Sequence, residues 1–185
     1  FSFRGGTRAL RYYSSIEYFD QQGTMINSKL DRYAYRVKMS QEERNRLFNW
    51  GVNLYLAHTL QTGPIMGIGT TNYFATPTYA ALLLPSVIPA YLEDGSYNLS
   101  FPRNLLNSSH NPIANAKENI NNRGQLVVTP SVWFQLNLAK GLKFRSTNSM
   151  RYVALRRRRF YSPDFGTGLR SGGELLERGS EWSKL

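Results

Sequence analysis

A chain of 185 residues with 41% hydrophobic content can hold one domain or slightly more around a core. Its 23 Lys+Arg against 12 Asp+Glu give a formal charge of +11, which suits nucleic acid, an anionic membrane surface or acidic ligands without choosing among them. The absence of Cys excludes a disulfide framework and a thiolate metal site, and no apolar run approaches the ~20 residues of a membrane-spanning helix, so any span must be built from strands. Phe1-Ser2-Phe3-Arg4 does not read as a signal peptide.

The 12 Tyr, 10 Phe and 3 Trp favour β-structure, since strands and membrane interfaces both select aromatic rings. Phe1 opens in what reads as a strand, and the tight connection Gly5–Ala9 leads to a second at Leu10–Gln21, with Tyr12, Ile16 and Tyr18 opposing Tyr13, Ser15 and Glu17. After the longer Gln22–Ser28, the segment Lys29–Ser40 sets Tyr33, Tyr35, Val37 and Met39 against Arg32, Ala34, Arg36 and Lys38. Ser40–Arg46 is tight again. Leu47–Leu60 then places Phe48, Trp50, Val52, Leu54 and Leu56 opposite Asn49, Gly51, Asn53 and Tyr55.

The connection Gln61–Asn122 is too long for an ordinary loop in a compact domain, and such loops tend to be functional. Thr76 can cap a helix, Pro77 suits its first position, and Tyr79–Leu84 follows as a short helix ended near Pro85. The reading packs Leu82, Leu83 and Leu84 against Phe74, Val87, Ile88 and Tyr91, with Glu93-Asp94-Gly95 as a turn at the tip. Ser131–Leu138 sets Val132, Phe134, Leu136 and Leu138 against Trp133, Gln135 and Asn137; after the tight Ala139–Gly141, Leu142–Ala154 alternates more weakly. A long connection is expected over Arg156–Gly179, with another strand starting at Gly179–Leu185.

This pattern fits an antiparallel sheet in a soluble β-sandwich binding module, for instance for a carbohydrate, as well as a membrane barrel. Short and long connections alternate, however, as they do in outer-membrane barrels. Roughly seven such strands leave two open edges, which implies that the remainder of a barrel lies outside these residues. The fold class is all-β, and on these grounds two architectures stay open: a soluble β-domain, and a partial antiparallel transmembrane β-barrel with a long external loop that contains a short helix. The aromatic positions Tyr12, Tyr18, Phe19, Tyr33, Phe48, Trp50 and Tyr152 would supply interfacial girdles in a barrel, or core in a soluble protein.

Nothing in the sequence reads as a catalytic constellation, so neither an enzyme nor a cofactor is expected. His58 and His110 lack metal-type spacing, and Gly67-Ile68-Gly69 and Gly166-Thr167-Gly168 lack the context of a phosphate loop. Glu42-Glu43 and Glu93-Asp94 read as solvated. Arg156-Arg157-Arg158-Arg159, followed by Phe160 and Tyr161, has the composition of a phosphate-binding run, but no nucleic-acid fold signature accompanies it. At the start of an external loop the same run can meet phosphates of lipopolysaccharide or an acidic partner, or simply be solvated.

Tyr12-Tyr13-Ser14-Ser15-Ile16-Glu17-Tyr18-Phe19-Asp20-Gln21-Gln22-Gly23, preceded by Gly5-Gly6, resembles a stretch of the SusC/RagA family of TonB-dependent outer-membrane transporters. Lys29-Leu30-Asp31-Arg32-Tyr33-Ala34-Tyr35-Arg36, Gly51-Val52-Asn53-Leu54, Pro89-Ala90-Tyr91-Leu92-Glu93-Asp94-Gly95-Ser96-Tyr97, Asn111-Pro112-Ile113-Ala114 and Gly141-Leu142-Lys143-Phe144-Arg145-Ser146 continue the resemblance in order. Lys38 stands where that family usually has Asn. The resemblance implies a stretch of the barrel just after the plug, with the signal peptide, plug and C-terminal strands absent. It implies import of an oligosaccharide or peptide, driven by the TonB complex, beneath a SusD-type surface lipoprotein, in the outer membrane of a Gram-negative bacterium. On that reading Glu17, Arg32, Arg36, Lys38, Asn49, Asn53, Gln135 and Asn137 face the lumen, while Tyr79, Tyr91 and Arg156, Arg157, Arg158 and Arg159 lie on external loops.

Overall fold

The computed structural model describes residues 1–43, 46–64, 77–99, 111–164 and 173–184. Among these residues, seven strands form one antiparallel sheet in chain order: β1 (Ser2–Gly6), β2 (Leu10–Gln22), β3 (Lys29–Gln41), β4 (Phe48–Thr62), β5 (Ile120–Ala139), β6 (Leu142–Tyr161) and β7 (Gly173–Lys184). Two helices, α1 (Pro77–Leu83) and α2 (Pro112–Glu118), lie between β4 and β5. Each strand pairs with its sequence neighbour, unlike the crossover order of a Greek-key sandwich. A single open meander of this kind is the architecture of part of a β-barrel wall. Neither helix is long or apolar enough to cross a membrane.

Register decides which side chains share a face, because residues directly opposite one another in an antiparallel pair project the same way. Tyr12↔Met39, Ile16↔Tyr35 and Tyr18↔Tyr33 continue into Met39↔Val52, Val37↔Leu54 and Tyr35↔Leu56, and then into Val52↔Val132 and Leu56↔Val128. A largely apolar surface results, interrupted by Ser14, Ser146 and Asn148, and it is uncovered: Ile16 is 61%, Val132 46% and Trp182 62% exposed. What is buried is small or polar, chiefly Ala34, Ala57, Ala80, Ala114, Ala116, Asn49 and Asn111.

The tight connections are built by local chemistry. Gly6 and Gly141 have positive φ, 149° and 84°, and the Thr7 N–H donates to the Leu10 carbonyl at 2.7 Å. Tyr12 lies over Gly5 and Trp133 over Gly51, so neither glycine has room for a side chain. Pro130 sits inside β5, opposite Leu54 of β4, yet the register with β6 passes from Val128↔Tyr152 to Ser131↔Ser149 and leaves Thr129 and Pro130 unpaired there. That gap accommodates a residue with no N–H to donate.

Two expected boundaries are corrected. β5 begins at Ile120, eleven residues before the expected Ser131. Gln-Leu-Val-Val-Thr-Pro over 125–130 does not alternate, and Pro130 reads as a breaker. Arg156–Gly179 is not one long connection: β6 runs on to Tyr161 and β7 has begun by Gly173. Four consecutive arginines erase the apolar alternation, but the backbone ladder with β5 continues through them.

The long connection after β4 is organised by one buried amide. Asn111 caps α2, its Oδ1 accepting from the N–H groups of Ile113 at 3.0 Å and Ala114 at 3.2 Å. Its Nδ2 donates to the carbonyls of Ala90 at 2.6 Å and Asn98 at 3.2 Å. Asn111 therefore ties the helix to the hairpin-like segment in which Tyr91 bridges Tyr97 and Gly95 turns the chain at φ 82°. The turn at Glu93-Asp94-Gly95 and the helix starting at Pro77 match the sequence reading. Of the expected leucine cluster, Leu82 is 76% and Val87 84% exposed, Leu84 and Ile88 are half-buried, and the Leu83 side chain is outside the described set; the helices close on Ala80, Ala114 and Ala116. Small residues let two seven-residue helices approach where leucines would hold them apart. Phe74, Thr76, His110 and the glycine motifs at 67–69 and 166–168 lie outside the described residues.

Candidate functional site

The face opposite the apolar surface is mostly polar, with one row of small and aliphatic residues, Ala34, Ala57, Val127 and Val153, crossing it. Glu17↔Ala34, Arg36↔Tyr55, Lys38↔Asn53, Asn49↔Gln135 and Gln135↔Arg145 place all eight candidate residues, Arg32 and Asn137 included, on this one face. They do not form one cluster. At the end carrying the short connections, Asn49 is 2% exposed and its Oδ1 accepts from the Glu43 N–H at 2.8 Å. The Asn137 Nδ2 donates to the Arg46 carbonyl at 2.7 Å, and its Oδ1 accepts from Gln135 Nε2 at 2.9 Å. These three brace the β3–β4 connection.

Midway along the strands the face is lined by rings and guanidiniums. Arg32 Nη2 donates to the Tyr55 hydroxyl at 2.7 Å and lies 4.0 Å from Glu17, while Arg36 sits 5.1 Å from the Tyr55 ring centre. Arg145 stands 4.3 Å from the Trp133 ring, which itself rests on Gly51. Stacked guanidiniums and indoles offer flat apolar surface edged by N–H donors, a combination that binds polar solutes without enclosing them. Tyr55, Trp133 and Arg145 were not among the sequence candidates. The pairing of Arg145 with Trp133 depends on the β5–β6 register, which no local pattern reveals.

At the end carrying the long connections the arginine run separates by parity. Arg157 and Arg159 fall on the polar face with Arg123, their register partners including Arg123↔Arg157, Asn121↔Arg159 and Arg157↔Glu177. Arg156 and Arg158 fall on the apolar side, where Arg156 is directly opposite Arg178. The four arginines are thus strand residues and not the loop residues expected from sequence. Below Arg156, Arg158 and Arg178, small residues including Gly124, Ala154, Gly179 and Ser180 leave a groove of about 690 Å³ that reaches Leu60, Leu126 and Tyr152.

The other two loop candidates are both on the surface between β4 and β5. Tyr79 on α1 is half exposed. Tyr91 packs on Tyr97 with ring centres 5.5 Å apart, and Lys117 donates to its hydroxyl at 3.4 Å. That hydrogen bond raises the Lys117 pKa above its ordinary value.

The apolar face has its own order. On β4 and its neighbours, Phe48, Trp50, Phe134 and Phe144 mark one end, and Tyr18, Tyr33, Tyr35, Tyr152 and Trp182 mark the other. Val52, Leu54, Val132, Val37 and Met150 lie between. From Trp50 to His58 the strand rises about 27 Å. Ring pairs reinforce both rows, Phe134–Phe144 at 6.0 Å, Tyr18–Tyr33 at 5.0 Å and Tyr152–Trp182 at 4.1 Å.

No protein-family model matches the chain. The chain is 29% identical over 161 residues to TonB-dependent receptor P26 of Formosa agariphila, an alignment covering 87% of this chain and 15% of that receptor. It is 26% identical over 148 residues to TonB-dependent receptor P3 of the same organism, covering 79% and 14% respectively. The chain therefore spans a small part of the length of either relative. Similarity at this level supports kinship with TonB-dependent receptors in general, and the open antiparallel sheet agrees with a segment of their barrel.

Proposed function

We propose that these residues form part of the wall of a TonB-dependent outer-membrane transporter of the SusC/RagA kind. The observation that carries the reading is the uncovered apolar face, aliphatic at the centre and aromatic at both ends, with a polar face behind it. A lipid bilayer covers such a face, whose aromatic rows sit at its two interfaces. The finer family reading is supported by the ordered motifs from Gly5-Gly6 through Gly141–Ser146.

In this function Glu17, Arg32, Arg36, Lys38 and Asn53 line the lumen and meet the solute, an oligosaccharide or peptide, or a plug, with no bond of the solute broken. Asn49, Gln135 and Asn137 hold the periplasmic turn. The segment with α1 and α2 is an external platform on which Tyr79 and Tyr91 are offered to a SusD-type lipoprotein. Arg156, Arg158 and Arg178, standing just beyond the apolar band, meet phosphates of the outer leaflet, while energy arrives through the TonB complex at parts of the protein not in these residues.

Site-directed spin labels in the intact protein test this. A label replacing Leu54 is expected to be relaxed by oxygen and one replacing Asn53 by a water-soluble nickel chelate, as for lipid and lumen respectively. Equal nickel access at both positions would refute the barrel.

A further inference from the structure

Opposed like charges in a sheet are costly, and one pair in this chain shows how they are neutralised internally. Asp20 is directly opposite Asp31, and Lys29 Nζ lies 3.0 Å from a carboxylate oxygen of each. The Tyr18 hydroxyl adds a donor to Asp20 at 3.1 Å. Two anions share one cation and one hydroxyl.

Arg123 and Arg157 repeat the arrangement with the sign reversed, and Arg159 adds a third guanidinium on the same face. Glu177 is the carboxylate between them, 3.2 Å from Arg157 Nη1 and 3.9 Å from Arg159 Nη1. The Arg123 side chain makes no hydrogen bond or ion pair among the described residues, and the Nε atoms of Arg123 and Arg159 are buried without a partner. A buried N–H left unpaired costs about 1–3 kcal/mol, and more on a charged group. Among the described side chains at this end, the Asp164 carboxylate accepts from the Ser162 hydroxyl at 3.2 Å, and Glu118 faces Tyr97.

We propose that Arg123, Arg157 and Arg159 form an anion subsite at the mouth of the lumen, which binds a sulfate or carboxylate group carried by an acidic oligosaccharide solute; this rests on the transporter reading above. Guanidinium forks match both groups in geometry. The side chains around them on the same face, Gln61, Thr59, Gln125 and Asn121, are amides and a hydroxyl suited to sugar hydroxyls. The subsite selects acidic solutes from neutral ones before they reach the Trp133–Arg145 and Tyr55–Arg36 stacks deeper in the face.

Thermal unfolding of the intact receptor in detergent, with sodium sulfate or sodium chloride at matched ionic strength, tests the subsite. Sulfate is expected to raise Tm by several degrees more than chloride, and Arg123→Gln to weaken the apparent sulfate affinity at least tenfold. Lys140→Gln, in the exposed turn between β5 and β6 at the other end of the sheet, is expected to keep the wild-type sulfate response. Equal shifts with both salts in the wild type, a readout that needs no variant, would overturn the proposal, as would an undiminished sulfate response in Arg123→Gln. A spin label replacing Val127, on the same face, separates the two readings. Nickel access there without a sulfate effect removes the subsite alone, whereas access to oxygen alone places this face in lipid and removes the lumen assignment with it.

Discussion

β2, β3 and β4 have 13, 13 and 15 residues, whereas β5 and β6 have 20 each. All five run past the tyrosine row, since Lys29, Thr62, Asn122 and Arg158 lie opposite one another, but the alternation is plainer on the first three. On β5 and β6 that far end carries arginine and amide side chains on both faces, and residues 120–185 contribute 12 of the 23 Lys+Arg but four of the 12 Asp+Glu. Strand structure within the band is enforced by the solvent on each side. Beyond the band, only the ladder itself maintains it.

The comparison breaks most visibly under a charge placed on the apolar face. Leu54→Arg, in the middle of the band, is expected to cost about 2–4 kcal/mol of folding free energy in lipid vesicles, whereas Gly124→Arg, on the same face beyond the aromatic row, is expected to cost about 1 kcal/mol or less. Denaturant titration of the intact protein in vesicles measures both. Equal costs would mean that the band does not end where the tyrosines place it.

A smaller effect is expected from the platform. Asn111→Ala removes a helix cap and two buried donor contacts, and should destabilise the segment 77–119 by about 1–3 kcal/mol. Limited proteolysis should then cut this segment faster while the barrel transition stays at the wild-type temperature. A lowered barrel transition would show that platform and strands unfold as one unit.

The smallest expected effect is a pH response at the platform tip. The Ser96 hydroxyl and N–H both donate to Asp94, at 2.6 and 2.9 Å, and hold its carboxyl below the usual range. A depressed pKa means that the folded turn favours the ionised form. Its contribution is complete above the ordinary carboxylate pKa and is lost as pH falls through the lowered folded value. Amide exchange at Ser96 is expected to accelerate, relative to a barrel amide such as Val52, only in that acidic window, and Asp94→Asn should abolish the difference.

The sequence made the strand faces legible because Lys29–Ser40 and Leu47–Leu60 obey a two-residue period, and the observed register keeps every candidate lumen residue on one face. It did not show which of them are occupied. Asn49 and Asn137 look like Asn53 in sequence, yet they are consumed by turn contacts that only the hairpin geometry creates. The arginine run was visible, but its division between two faces follows from strand parity beyond the point where hydrophobicity marks it. Asn111-Pro112 carried the signal for α2, a capping residue followed by proline at the first helical position, in a helix too short for periodicity to reveal.

The connections at the platform end are bound to one another. Asn27 of the β2–β3 connection donates to the Ala116 carbonyl at 3.0 Å, and Asn119, just past α2, accepts from the Ser162 N–H after β6 at 2.9 Å. Asn121 reaches the Pro64 carbonyl at 3.4 Å. For an engineer, these connections are one interchangeable part. A graft that replaces a single loop severs bonds anchored in its neighbours, so a chimaera has to import the β2–β3, β4–β5 and β6–β7 connections as a set, with the short turns at the other end left as they are.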